Sequence, residues 1–156
     1  PKTPATTPTT TTSSNAPPNA AERAGYDDAL MLDSSGNIAE TTGANIFFVR
    51  DGVIYTPTPD CFLDGITRRT VIGLAQGKGL MVIETHIRPE DLATFSECFV
   101  TGTAAEVTPV AEIGAQSFKP GAITFDLMEA YARRVTKPPE TPQSNRKLPA
   151  QDAVVA

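Results

Sequence analysis

Three short stretches combine residue types that let an anion or a ring approach the chain closely. The first is "TGTAAEVTP", residues 101–109, where two threonines, a glycine and two alanines follow the apolar run "CFV". Gly and Ala leave the backbone open, so Thr103 and the N–H groups of Thr103, Ala104 and Ala105 form a candidate anion pocket. A tight turn between strands accounts for the same residues equally well. The second stretch is "LDGITRRT", where Gly65, Ile66 and Thr67 open a helix. A helix N-terminus carries unpaired N–H groups and a positive dipole end, which suits a phosphate, and Thr67 adds a hydroxyl. An ordinary N-cap by Asp64 or Thr67 is the competing reading. The third is Glu40, on a strand beside the small residues of "AETTGAN". A carboxylate there binds a protonated ring nitrogen or a cation, or is simply a solvated strand acid.

The elements that must position these residues are readable from period and punctuation. "ALMLD" and "IAETT" flank the turn "SSGN" as a strand pair. "NIFFV" and "VIYTP" flank "RDG", whose Asp-Gly pair signals a hairpin. In "GITRRTVIGLAQGKG", Ile66, Val71, Leu74 and Ala75 fall near helical spacing and the glycines end the helix. "LMVIETHI" reads as a strand with His86 on a polar face, and "RPEDLATF" as a short helix opened by proline. "ECFVTG" and "EVTPVAEIG" are further strands. "GAITFDLMEAYARRV" is an amphipathic helix with Ile123, Leu127, Met128 and Tyr131 inward. Strands outnumber helices, and the mixture predicts an α+β fold.

The totals narrow the class. The 156 residues suffice for one domain with a core. Residues 1–18, rich in Thr and Pro, are expected to be disordered, as are residues 136–156, which leaves 19–135 as the folded part. A net charge of −5 without a basic cluster argues against nucleic acid. No apolar run is long enough for a membrane span, and no signal peptide pattern is visible. Cys61 and Cys98 are read as reduced thiols of a cytoplasmic protein, and one histidine excludes a His-rich metal site.

Taken together, the spacings resemble a known family. Glu40, Thr42, Asn45-Ile46-Phe47, Ile54, Thr56, Leu63, Gly65, Ile66 and Arg68 match the class IV aminotransferase signature at each specified position. "TGTAAEVTP", "GYDDALMLDSSGNIAE" and "PGAIT" agree with it, most closely in its branched-chain amino-acid group. The resemblance covers residues 19–135, the C-terminal part of such an enzyme. It implies a strand-rich pseudo-barrel of the D-amino-acid aminotransferase-like fold that binds pyridoxal 5′-phosphate (PLP). By that resemblance Glu40 faces the pyridine nitrogen and Leu63 packs on the ring. Ile66, Thr67 and Thr103 hold the phosphate, and Thr103, Ala104 and Ala105 meet the substrate carboxylate. The implied reaction moves an amine from an amino acid to a 2-oxo acid, in a homodimer.

One part of the pattern is missing. In the family a lysine that bonds the cofactor lies about twenty residues before the "GY" element. Lys2 sits in "PKTP", a context unlike the family's and unsuited to a central strand, and Lys78 and Lys119 lie elsewhere. No catalytic residue is therefore carried over, and the family's N-terminal small domain is not matched. The chain alone is expected to be inactive. A non-catalytic PLP-binding or interaction module, and relatives such as D-amino-acid aminotransferase or aminodeoxychorismate lyase, are the alternatives.

Overall fold

The computed structural model describes residues 7–12 and 27–136, the first segment by its backbone alone. In chain order the strands are β1 (Thr7–Thr12), β2 (Asp28–Leu32), β3 (Ile38–Thr41), β4 (Asn45–Arg50) and β5 (Val53–Pro57). Helix α1 (Ile66–Gly77), β6 (Val82–Thr85), a 3-10 helix (Pro89–Thr94), β7 (Glu97–Gly102), β8 (Glu106–Ile113), β9 (Gln116–Ser117) and α2 (Ala122–Thr136) follow. The strands form one sheet in the order β3-β2-β1-β8-β7-β4-β5-β6, with β9 added to β8. The sheet curls until its ends meet. The Ile38 N–H at the start of β3 donates to the Ile87 carbonyl just past β6, at 2.7 Å. This is the α+β, strand-rich pseudo-barrel expected from the sequence.

The "RDG" hairpin forms as its residues dictate. Asp51 and Gly52 both take positive φ, 53° and 78°, the pattern of a type I′ turn whose twist matches the flanking strands. β4 is apolar on both faces because it is covered on both. Ile46 and Phe48 point into the curl with Leu30, Cys98, Val100 and Val110. Phe47 and Val49 point outward, where Val71 and Ala75 of α1 and Leu127 of α2 cover them. Phe47 stacks on Phe99 of β7 with ring centroids 4.9 Å apart. Such continuous burial explains why "NIFFV" lacks the polar alternation of a half-exposed strand.

Helix α2 is capped from a neighbouring strand. The Glu97 carboxylate accepts from the Gly121 N–H at 3.0 Å, the Thr124 N–H at 2.9 Å and the Thr124 hydroxyl at 2.6 Å. A Cβ at residue 121 would lie 2.3 Å from the Glu97 carboxylate, so a side chain there would displace the carboxylate from this cap.

Three places differ from the sequence expectation. Within residues 1–18, expected to be disordered, Thr7–Thr12 forms a strand parallel to β2 on one side and β8 on the other. β-Branched threonine suits extended backbone, and the register on β8 shifts between Thr7 and Pro8, where a proline has no N–H to give the ladder. The "RPEDLATF" helix is a 3-10 turn, and His86 lies just past β6 with its imidazole exposed, 3.6 Å from Asp60. The remaining expectations for 1–18 and 136–156, and the expectation that 19–26 belong to the folded part, fall outside the described residues, apart from Thr136 at the end of α2. Cys61 and Cys98 are both free thiols, the first exposed and the second buried. Among the described residues no helix is long and apolar enough to cross a membrane, and no cluster has metal-ligand composition.

Candidate functional site

Where β3, β7 and the start of α1 converge, the structure opens a cavity of about 400 Å³. Its wall contains Glu40, Leu63, Ile66, Thr67 and Thr103, five of the seven sequence-derived candidates. Ala104 and Ala105 continue the turn between β7 and β8 beyond that wall. Ala105 leans on the inner core instead. The turn ends at Glu106, which holds φ at 51°, a left-handed conformation uncommon for a residue with a side chain.

Helix α1 presents its N-terminus to this cavity without a side-chain cap. Its N-cap, Gly65, carries no side chain, and the first turn holds no acidic residue. Asp64, the obvious alternative cap, is engaged by Arg68 at 2.8 Å. The orphan N–H groups of the first turn are therefore not taken by a local side chain, which is the state an anion needs. Thr67 is buried beside them.

Glu40 forms the opposite wall. It is half-buried, and that burial pushes its carboxyl above the usual glutamate range. Its carboxylate accepts from the Asn45 amide at 3.5 Å. Desolvation of a carboxylate with so little compensation costs stability unless a positive group arrives to meet it. A carboxyl whose folded-state pKa lies above its unfolded value adds stability at low pH, and that stability is lost as pH rises through the folded value. Glu40→Gln removes the loss. The ligand-free variant should have a higher Tm than the parent at pH 7, and the gap should close as pH falls into the usual glutamate range. Equal Tm values at both ends of a pH series would show that Glu40 is not strained by burial.

Leu63 and Ile66 are 77% and 78% exposed at the cavity mouth. Two large apolar side chains left bare at the rim of a polar cup match the needs of a flat, apolar ring. Between them and Glu40 lie residues that the sequence reading did not assign to the site: Asn45, Thr101 and Gly102. The Thr101 hydroxyl is buried and has no hydrogen-bond partner among the described residues. A Cβ on Gly102 would stand 3.2 Å from the Gly43 carbonyl and 3.4 Å from Ala44. The small residues of "TGTAA" therefore serve a close approach by the chain's own 43–44 turn as well as any ligand. Of the described lysines, Lys78 is paired with Asp126 at 2.9 Å and Lys119 lies before α2; neither lines the cavity.

Known proteins with this architecture share more than the fold. The family model for amino-transferase class IV matches residues 12–113. A probable branched-chain-amino-acid aminotransferase of Rickettsia felis is 51% identical over 106 residues, covering 68% of this chain and 36% of its own length. The crystal structure of a branched-chain aminotransferase from Thermoproteus uzoniensis with norvaline superposes with a TM-score of 0.71 at 44% identity, over 73% of this chain and 39% of that one. An aminotransferase from Brucella abortus bound to the cofactor PLP gives 0.77 at 32% identity, over 86% and 55%. The chain thus spans 36% of the Rickettsia felis relative, 39% of the Thermoproteus uzoniensis enzyme and 55% of the Brucella abortus one.

Proposed function

The chain belongs to the class IV aminotransferases, and from that premise we propose that it is the PLP-binding part of a branched-chain amino-acid aminotransferase. The observation that carries this reading is one cavity with three unlike faces. It has an acid with a raised pKa at Glu40, a bare helix end at Ile66 and Thr67, and an apolar rim at Leu63 and Ile66. PLP has a pyridine nitrogen, a phosphate and a flat ring, so the residues present fit the group.

When bound, PLP supplies an electron sink for the substrate carbon that gives up a proton. Glu40 holds a proton on the ring nitrogen, because an ionised carboxylate in a half-buried wall favours the cationic form of its partner. The first-turn N–H groups of α1 and the hydroxyls of Thr67 and Thr103 bind the phosphate. Leu63 packs on a ring face. Backbone N–H groups at Thr103, Ala104 and Ala105 receive the substrate carboxylate. The substrates are a branched-chain amino acid and a 2-oxo acid, and the assembly is a cytoplasmic homodimer, as the family resemblance implies. No described lysine reaches the cavity, so the base that moves the substrate proton must come from outside the described residues. That last observation also favours a second reading, a chain that binds PLP without catalysis.

Titration of the 156-residue chain with PLP tests the cup itself. A shifted absorbance band should survive gel filtration and should resist borohydride fixation, since no described lysine is within reach. Thr67→Ala combined with Thr103→Ala should weaken binding at least about tenfold, because two hydrogen bonds to a charged group are lost. Absence of the band in the parent chain would sink the proposal.

A further inference from the structure

We propose that Asn45 is a positioning residue of this cavity, fixing its acidic wall relative to its anion-binding end. The inference rests on the cofactor reading above. Asn45 opens β4 and is 6% exposed. Its carboxamide reaches the turn before α1 at two points. The Nδ2 group donates to the Leu63 carbonyl at 2.9 Å, and Oδ1 accepts from the Gly65 N–H at 3.3 Å. The same Nδ2 group stands 3.5 Å from Glu40 Oε2.

A carboxamide suits this place because it donates and accepts from one planar group. Aspartate keeps the acceptor for Gly65 but loses both donations, and it places a second carboxylate beside Glu40. Residue 65 is fitted to the contact. A Cβ there would lie 2.5 Å from Asn45 Oδ1, so the turn approaches Asn45 as closely as a glycine allows.

The arrangement also explains how α1 stays uncapped yet ordered. A local side-chain cap orders a helix start by occupying its first-turn N–H groups. Here the order comes from β4, through the Leu63 carbonyl and the Gly65 N–H, and no side chain caps the helix. The N–H groups beyond Gly65 remain available to an anion. One side chain thus holds Leu63, the helix end and Glu40 in a single spacing, which is the spacing that a ring with a nitrogen near one end and a phosphate at the other must match.

The test uses the full chain and its Asn45→Ala and Asn45→Asp variants. Amide exchange without ligand is followed at Gly65 and at Arg69, whose N–H donates to the Gly65 carbonyl at 3.0 Å. Dissociation constants are measured for PLP and for inorganic phosphate. In Asn45→Ala both amides should exchange about tenfold faster while Phe47 and Phe48 stay protected, because one or two net hydrogen bonds of the turn are lost. PLP should bind at least about tenfold more weakly, and inorganic phosphate should lose less, since it touches only the helix end. Asn45→Asp should weaken PLP at least as much, and it decides the matter if the alanine variant does not fold. Unchanged exchange at Gly65 overturns the inference. So does faster exchange with unchanged PLP affinity, which would leave the cofactor reading intact. A parent chain that binds no PLP overturns the cofactor reading and this role with it.

Discussion

Given leucine, 2-oxoglutarate and saturating PLP, the 156-residue chain alone should turn over at least about a thousandfold more slowly than a full-length class IV aminotransferase. Transamination needs a base at the substrate carbon, and a positioned acid–base group contributes about 10²–10⁴ in rate. The cavity wall offers an acid at Glu40 and hydroxyls at Thr67 and Thr103, but no amine. Glu40 cannot serve in place of the amine if it is committed to the ring nitrogen. Lys78 is held by Asp126 at the far end of α1. The bare rim at Leu63 and Ile66 adds a second handicap, because water reaches the site along that exposed edge. Bound PLP with no turnover is the expected combination. Turnover within about tenfold of a full-length enzyme would mean that a lysine of this chain reaches the cavity.

The local devices of this fold are legible in its sequence, and the long-range ones are not. "RDG" announces its type I′ turn because Asp and Gly tolerate positive φ at adjacent positions. The inward face of α2 follows from spacing alone, with Leu127 fully buried and Ile123, Met128 and Tyr131 packed beside it. Glu40, Leu63, Ile66, Thr67 and Thr103 stand in the motif stretches and line the cavity. Yet the motif does not separate residues that face the cavity from residues that hold it. Asn45, Gly65 and Arg68 belong to the same run, and their partners lie elsewhere: Leu63 for Asn45, Asn45 for Gly65, Glu84 for Arg68. Glu97 reads as a charged strand residue until α2 is placed on it. Such pairings depend on how elements pack, and neither propensity nor period carries that information. Thr7–Thr12 illustrates the same limit. Its composition signals disorder, while a gap between β2 and β8 offers hydrogen bonds on both sides that composition does not register.

Arg68→Met should lower stability by about 3 kcal/mol, and Arg68→Lys by about half as much. Arg68 is 1% exposed, the largest fully buried side chain described. Its guanidinium joins three elements: Asp64 before α1 at 2.8 Å, Glu84 on β6 at 2.5 Å, and the Pro57 carbonyl at the end of β5 at 3.0 Å. Methionine fills much of the volume but leaves two carboxylates facing one another and a buried carbonyl without its donor. Both acids are partly exposed, so water relieves some of that cost, which places the expectation at the low end for a broken buried ion pair. For a domain of this size the loss corresponds to a fall in Tm of about 10–15 °C. The site should suffer separately from the fold. Asp64, released from Arg68, becomes free to cap α1 and so to occupy the N–H groups that the phosphate requires. PLP affinity measured well below the Tm should therefore fall in Arg68→Met and recover in the double variant Arg68→Met/Asp64→Ala, although the double variant regains little stability. A Tm within about 2 °C of the parent would show that the guanidinium contacts do not hold the α1 start. A loss of PLP binding that the second substitution fails to restore would show that Asp64 does not compete for the helix end.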